Sequence, residues 1–470
     1  MRDEWDPMRR GRRRFRPRSR GPSFAVRLLV VAMGLVVVVG SGFVLDRAVG
    51  RRVPAASRNP LSSGAWFCPH GGSSSWKGWV VVTNPGRRPV DVRLTTFGST
   101  GRTAERSFSI PAQRQMFTEV PVSDAGAASE VEYFGGWVGA ASVVSGGKGH
   151  GLASSECQAS SRKSWLLLDE PTGQSETGYA VVMNPFFAAA EFDVIIRTPR
   201  RTVRPSVLTP FVLSGRRSVA IKVNKYALEA PGEETVTVEI VARIGRVVAG
   251  SLGVVPGGIR SEGGIPPEKR WIMPAAASDP STLSVVNPGT LVGTISVTAQ
   301  EKSSEQPLFE QPRLRLAPGQ VRAEDLGKVQ GAGLVVSTDG SSIGAVAVTS
   351  GEKTDDTATI GGVHRSGRAW LVLPGSPPDG GRELLVLQNP ARTAASVTLS
   401  YIGDAGPVTT NQGGSIQIPA GRTVTIEVPP GPTGEPVSVV VKAETGNVAA
   451  AETSYSSDDA GYAASLGVPM

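Results

Sequence analysis

A repeat of about a hundred residues constrains this chain more than any other feature. The strings VVVTNPG, AVVMNPF, LSVVNPG and LLVLQNP carry Asn84-Pro85, Asn184-Pro185, Asn287-Pro288 and Asn389-Pro390, and the four Asn lie 100, 103 and 102 residues apart. A Trp stands 16 to 19 residues before each Asn: Trp66, Trp165, Trp271 and Trp370, half of the chain's eight Trp. The similarity continues past each Pro. Val92, Phe192, Ile295 and Val397 stand eight residues after the Asn, and Leu94, Val194, Val297 and Leu399 stand ten after it. That alternation has the period of a strand with one buried face. A turn and a second alternating strand follow in each repeat, as in IPAQRQMFTEV from Ile110 and IPAGRTVTIEV from Ile418. Val, Ala and Gly-rich strands then close it, as in Val236 to Val255 and Val437 to Tyr455.

Self-similarity at a fixed period means an array of like units. No stretch after residue 50 sustains a helical apolar period with caps, and 57 Gly with 36 Pro suit short strands joined by turns. The spacing of turn signals predicts about seven strands per repeat. A hundred residues suits one self-sufficient sandwich, whereas a propeller blade takes roughly 40 to 50. The expected fold is therefore all-β: four tandem Ig-like, seven-stranded β-sandwiches over 64–160, 161–262, 263–365 and 366–470, strung as beads rather than closed into a ring. The repeated residues read as structural. Pro ends a strand and pushes the residue before it toward extended geometry, Asn can bond backbone groups at a turn, and Trp fills a small core.

The N-terminus is of another kind. Residues 1 to 20 hold nine Arg against three acids, and residues 21 to 60 add five Arg against one acid. The formal charge of +8 thus sits at one end, and the remaining 410 residues sum to −2. A nucleic-acid partner for the body is not expected, since binding phosphates needs a concentrated basic surface. From Leu28 to Leu45 the chain runs eighteen residues without a charge. With an Arg-rich segment before it, this reads as a transmembrane helix over 24–45, a cytoplasmic tail over 1–23 and a linker over 46–63, with the body outside the cytoplasm. A cleaved signal peptide would have a shorter apolar run and a small-residue cleavage site, and Asp46-Arg47 follows instead.

The two cysteines, Cys68 and Cys157, fall on the first and last strands expected for repeat 1. Outside the cytoplasm they are expected to pair as a disulfide closing a loop of about ninety residues. His70 and His150 flank them, but the spacing matches no familiar zinc pattern, and no metal site is expected. The third histidine, His364, lies in no nucleophile motif. Adjacent acids at Glu233-Glu234, Asp355-Asp356 and Asp458-Asp459 read as solvated turn residues. No P-loop, HExxH or dinucleotide fingerprint is present, so neither catalysis nor a cofactor is expected. Trp76, Trp79, Tyr133, Phe134 and Trp137 read as a bulkier core in repeat 1, with a sugar-stacking strip as the alternative. Phe186 and Phe187, after the second Asn-Pro, read as an exposed docking point or a packed contact between domains.

The Arg-rich start, the single apolar span, the WFCP segment at Cys68, the recurring Asn-Pro strand ends and the SSECQ segment at Cys157 together resemble an actinobacterial family of membrane-anchored proteins. That family is known only as a domain of unknown function, family 5719. The resemblance implies location and class, and carries no mechanism. The expected role is a non-catalytic cell-envelope adaptor binding another envelope protein. Binding of wall or capsule glycan is the alternative, and an accessory subunit of an envelope enzyme a more distant one.

Overall fold

The computed structural model describes residues 63–470, except 148–150, 228–234, 278–280, 309–313, 328, 330, 352–353, 355 and 411–413. The tail expected over 1–23, the span over 24–45 and the linker up to 62 lie outside the described residues. Among those described, no helix is long and apolar enough to cross a membrane. Pro60–Met470 forms one compact unit.

Repeat 1 sets the pattern with eight strands rather than the expected seven. These are β1 (Gly64–Cys68), β2 (Lys77–Asn84), β3 (Val90–Gly98), β4 (Gly101–Ile110), β5 (Arg114–Val120), β6 (Ala128–Phe134), β7 (Gly139–Ser145) and β8 (Leu152–Glu156). They form two antiparallel sheets, in the orders β1-β6-β3-β4 and β5-β2-β7-β8. The same two orders recur in the other three repeats, giving eight sheets. The last repeat adds Val468–Pro469 beside Ala369–Val372.

Four tandem Ig-like sandwiches are not what forms. The eight sheets are the blades of an eight-bladed β-propeller, two from each repeat. Strand β8 touches its counterparts Gly258–Gly263 and Tyr462–Leu466, and Thr357–Ile360 touches both of those, so four inner strands close a ring about one axis. The cores merge accordingly. That of repeat 1 includes Leu371, Ile402 and Val440 of repeat 4, that of repeat 2 includes Phe67 and Phe97 of repeat 1, and that of repeat 3 includes Leu168 of repeat 2 and Tyr455 of repeat 4. Polar contacts mark the same seams: Arg216 to Glu130 at 2.6 Å, Ser284 to Asp169 at 2.7 Å, Gln388 to Gln300 at 2.8 Å, and Thr83 to Ser438 at 2.7 Å.

The physical reason is burial on both sides of a sheet. An isolated sandwich leaves every second side chain of a strand in water, but Val80, Val81 and Val82 are all fully buried, as are Val181, Val182 and Met183. A strand covered on both faces reads as an unbroken apolar run, and the strings VVV and AVVM before Asn-Pro are such runs. A hundred residues shared between two blades leaves about fifty for each, inside the propeller range. The period counts blade pairs.

Candidate functional site

The repeated residues do the same work four times. The indole N–H groups of Trp66, Trp165, Trp271 and Trp370 donate to the carbonyls of Val138, Val247, Ile343 and Val448 at 2.8 to 2.9 Å. Each Trp thereby ties the first sheet of its repeat to the start of the third strand of the second. Each Asn folds its turn around itself. The amide of Asn184 donates to the carbonyls of Ala188 and Leu213, and its oxygen accepts the N–H of Phe186. Asn84, Asn287 and Asn389 bond the matching groups, ending at the N–H of Gly86, Gly289 and Ala391. Pro85, Pro185, Pro288 and Pro390 follow them where the strand stops.

Cys68 and Cys157 form a disulfide with Cα atoms 4.5 Å apart. His70 is buried beside it. Its Nδ1 lies 2.8 Å from the Gly71 carbonyl and its Nε2 2.9 Å from the Ser129 hydroxyl. A carbonyl only accepts, so Nδ1 carries the proton and Nε2 accepts from Ser129. This is a neutral ring, consistent with burial pulling its pKa down to about 4. His150 lies outside the described residues. Among the described residues no group of three His, Cys, Asp or Glu is placed to hold a metal.

Inside the ring the chain gathers acids. Arg260 pairs with Asp169 at 3.1 Å with both side chains buried, and burial pushes the carboxyl of Glu170 beside them well up. Glu156 accepts the N–H of Leu466 at 3.3 Å and Glu262 that of Gly361, just past the inner strand Thr357–Ile360, at 2.9 Å, so two acids reach across to other repeats. Burial raises Glu156 to about 7, and burial, with the nearby Glu156 charge, raises Glu262 well above the usual carboxyl range. In repeat 4 the carboxyls of Glu383 and Glu452 lie against each other. Glu383 accepts from the Ser376 hydroxyl at 2.7 Å and Glu452 from that of Ser454 at 2.6 Å. Burial raises Glu383 to about 7 and Glu452 well above the usual range. Two carboxylates in contact cannot both ionise cheaply, so this pair keeps a proton near neutrality.

The rim differs from repeat to repeat. At the second Asn-Pro turn Phe186 is 43 % and Phe187 91 % exposed, where the other turns place Gly86-Arg87, Gly289-Thr290 and Ala391-Arg392. Arg216 lies over the Phe187 ring at 5.5 Å and over Phe97 of repeat 1 at 4.7 Å. Beside the turn an open cleft of 490 Å³ is lined by Lys163, Asn184, Phe186, Ala188 to Ala190, Gly245 and Arg246. Lys163 and Arg246 are exposed and have no acidic partner among the described residues. The aromatic residues of repeat 1 make no such surface. Trp76 and Trp137 pack on its core, Trp137 edge-on to Trp66 at 6.2 Å, and Tyr133 is buried; Phe134 is the exposed member, under Arg93.

Residues 116–377 and 366–461 match the model of a family of unknown function, DUF5719. The chain belongs to that family. No curated protein matches it. Sequence reasoning overlooked two features of this DUF5719 ring. Glu262, Glu383 and Glu452 are buried and Glu156 half-buried at strand positions where an acid ordinarily faces water, and only cover on both sheet faces makes this so. Asp356, expected in a solvated turn, is 1 % exposed. The strands flanking these residues are dense in Val, Ala and Leu, which was the one available signal.

Proposed function

We propose that this protein is a non-catalytic scaffold outside the cytoplasm that binds another envelope protein through the cleft at its second Asn-Pro turn. The observation that carries the reading is Phe187, a large apolar side chain 91 % exposed beside a basic cleft. Repeat 2 supports it with charge: residues 161–262 hold 13 basic and 10 acidic side chains, in a body that is net negative. The partner segment is acidic and offers an apolar side chain to the Phe186–Phe187 corner. The disulfide favours an oxidising compartment. The apolar run over 24–45 remains the basis for placing the chain as a single-pass membrane protein with its N-terminus in the cytoplasm, and protease protection of the tail in intact cells tests that placement.

The binding test uses a photoreactive residue at position 187 in native cells, with position 392 on the fourth turn as control. An adduct with one envelope protein, formed from 187 and lost with Arg246→Glu, is expected. Equal adducts from 187 and 392, or none from 187, would overturn the reading. A glycan partner would instead show as retention on isolated wall or capsule polysaccharide that Phe187→Ser abolishes.

A further inference from the structure

The four inner strands are equivalent by register. Leu152 pairs with Ser145, Ile259 with Val254, Thr357 with Ser350, and Tyr462 with Tyr455. Each of those partners stands seven residues after the carbonyl that accepts the repeat's Trp N–H. The residues directly before the four inner-strand positions are Gly151, Gly258, Asp356 and Gly461. Three glycines and one aspartate thus occupy one site of a fourfold arrangement.

The Asp356 side chain turns to the axis. Its carboxylate accepts the N–H of Leu152, of Tyr462 and of Thr357, each at 2.9 Å, and also that of Ile259. The four donors are the four equivalent amides, one from each repeat. The glycines make room for it. A Cβ on Gly151 would come within 2.6 Å of the Ile259 nitrogen, one on Gly461 within 2.7 Å of the Leu152 side chain, and one on Gly258 would collide with the Asp356 carboxylate itself. Only one side chain fits at this end of the axis.

We infer that these four amides form an oxyanion site which the chain fills with its own carboxylate, making Asp356 the lock that holds the four repeats in a closed ring. Among the described residues each strand ladder lies within one repeat, and no exchanged strand ties repeat 4 to repeat 1. A single carboxyl group shared by four donors, those of Leu152, Ile259 and Tyr462 buried and that of Thr357 half-buried, gives the backbone groups a partner where no sheet neighbour exists.

The test compares Asp356→Gly and Asp356→Asn with the wild type in the full chain, by thermal melting and hydrogen exchange, with and without formate. Asp356→Gly completes the four glycines and empties the site. It should lower the melting midpoint by roughly 4–6 °C, raise exchange together in the segments holding Leu152, Ile259, Thr357 and Tyr462, and recover part of both with tens of millimolar formate. Wild type should not respond to formate, and Asp356→Asn should raise exchange in all four segments without rescue, because its amide fills the space. A rise confined to the Thr357 segment in either variant, or an equal response of wild type to formate, would overturn the lock. Should Asp356→Gly fail to fold, recovery of folding by formate supports the site; if formate does not restore it, Asp356→Asn exchange decides between the two outcomes.

Discussion

At the rim, Asn84, Asn184, Asn287 and Asn389 each satisfy the backbone of their own turn, whereas at the axis Asp356 alone accepts from the inner strands of all four repeats. Fourfold similarity is kept where each repeat can meet its hydrogen-bonding needs by itself. It is broken where the needs meet at one point with space for one side chain. The same contrast holds for apolar groups. The four Trp are nearly interchangeable in their surroundings, but the second Asn-Pro turn alone carries exposed phenylalanines. Local duties repeat, while shared or outward duties are assigned to one repeat.

The comparison breaks first, and most heavily, at a Trp. Trp165 is fully buried and holds the Val247 carbonyl, so Trp165→Ala should cost about 3–5 kcal/mol. Calorimetry checks this, and a loss under about 1 kcal/mol would remove the shared role of the four Trp. Replacing both Cys68 and Cys157 by Ala should cost about 2–4 kcal/mol. Exchange should rise first in repeat 1; an equal rise in every repeat would show that the ring, rather than the repeat, is what the disulfide constrains.

Acidity sharpens the comparison, because the raised carboxyls lie inside the ring. Glu156 and Glu383 are held near 7 against an ordinary 4.5. Between those values the folded ring keeps protons that the unfolded chain has released. Their contribution is therefore fully present below about pH 4.5 and is lost as pH rises to about 7, by about 1.4 kcal/mol per pH unit for each group. Urea midpoints over that interval should fall, and Glu383→Gln should flatten the fall by one group's share. An unchanged slope would mean that Glu383 titrates normally. Asn389→Ala should cost about 2 kcal/mol, since it leaves buried carbonyls of its turn without a donor, and exchange should rise only in repeat 4. The smallest effect on stability is at the second turn, where Phe187→Ser should stay within about 0.5 kcal/mol while abolishing co-purification of the partner.

Much of this was legible in the residues. The strand following each Asn-Pro is there, with Val92 and Leu94 inward as the alternation requires, and the disulfide joins the two cysteines. The blade count was not, because a period of a hundred residues fits one sandwich as well as two blades. What decides between them is whether the other face of each sheet is covered, and that depends on contacts between residues hundreds of positions apart, such as Thr83 with Ser438. The unbroken runs VVV and AVVM carried this information, since a strand with a wet face rarely has three adjacent buried valines. Asp356 was harder. Its meaning depends on Gly151, Gly258 and Gly461 occupying the same place in other repeats, and the turn before Gly258 is two residues shorter than the other three, so the full equivalence shows only through strand register.

The central claim is the closed ring, and small-angle X-ray scattering on residues 60–470 tests it most directly. A closed eight-bladed body of that length should have a radius of gyration of about 22 Å and a scattering profile of one compact particle. A radius above about 35 Å, the value expected for four hundred-residue sandwiches strung end to end, would contradict it.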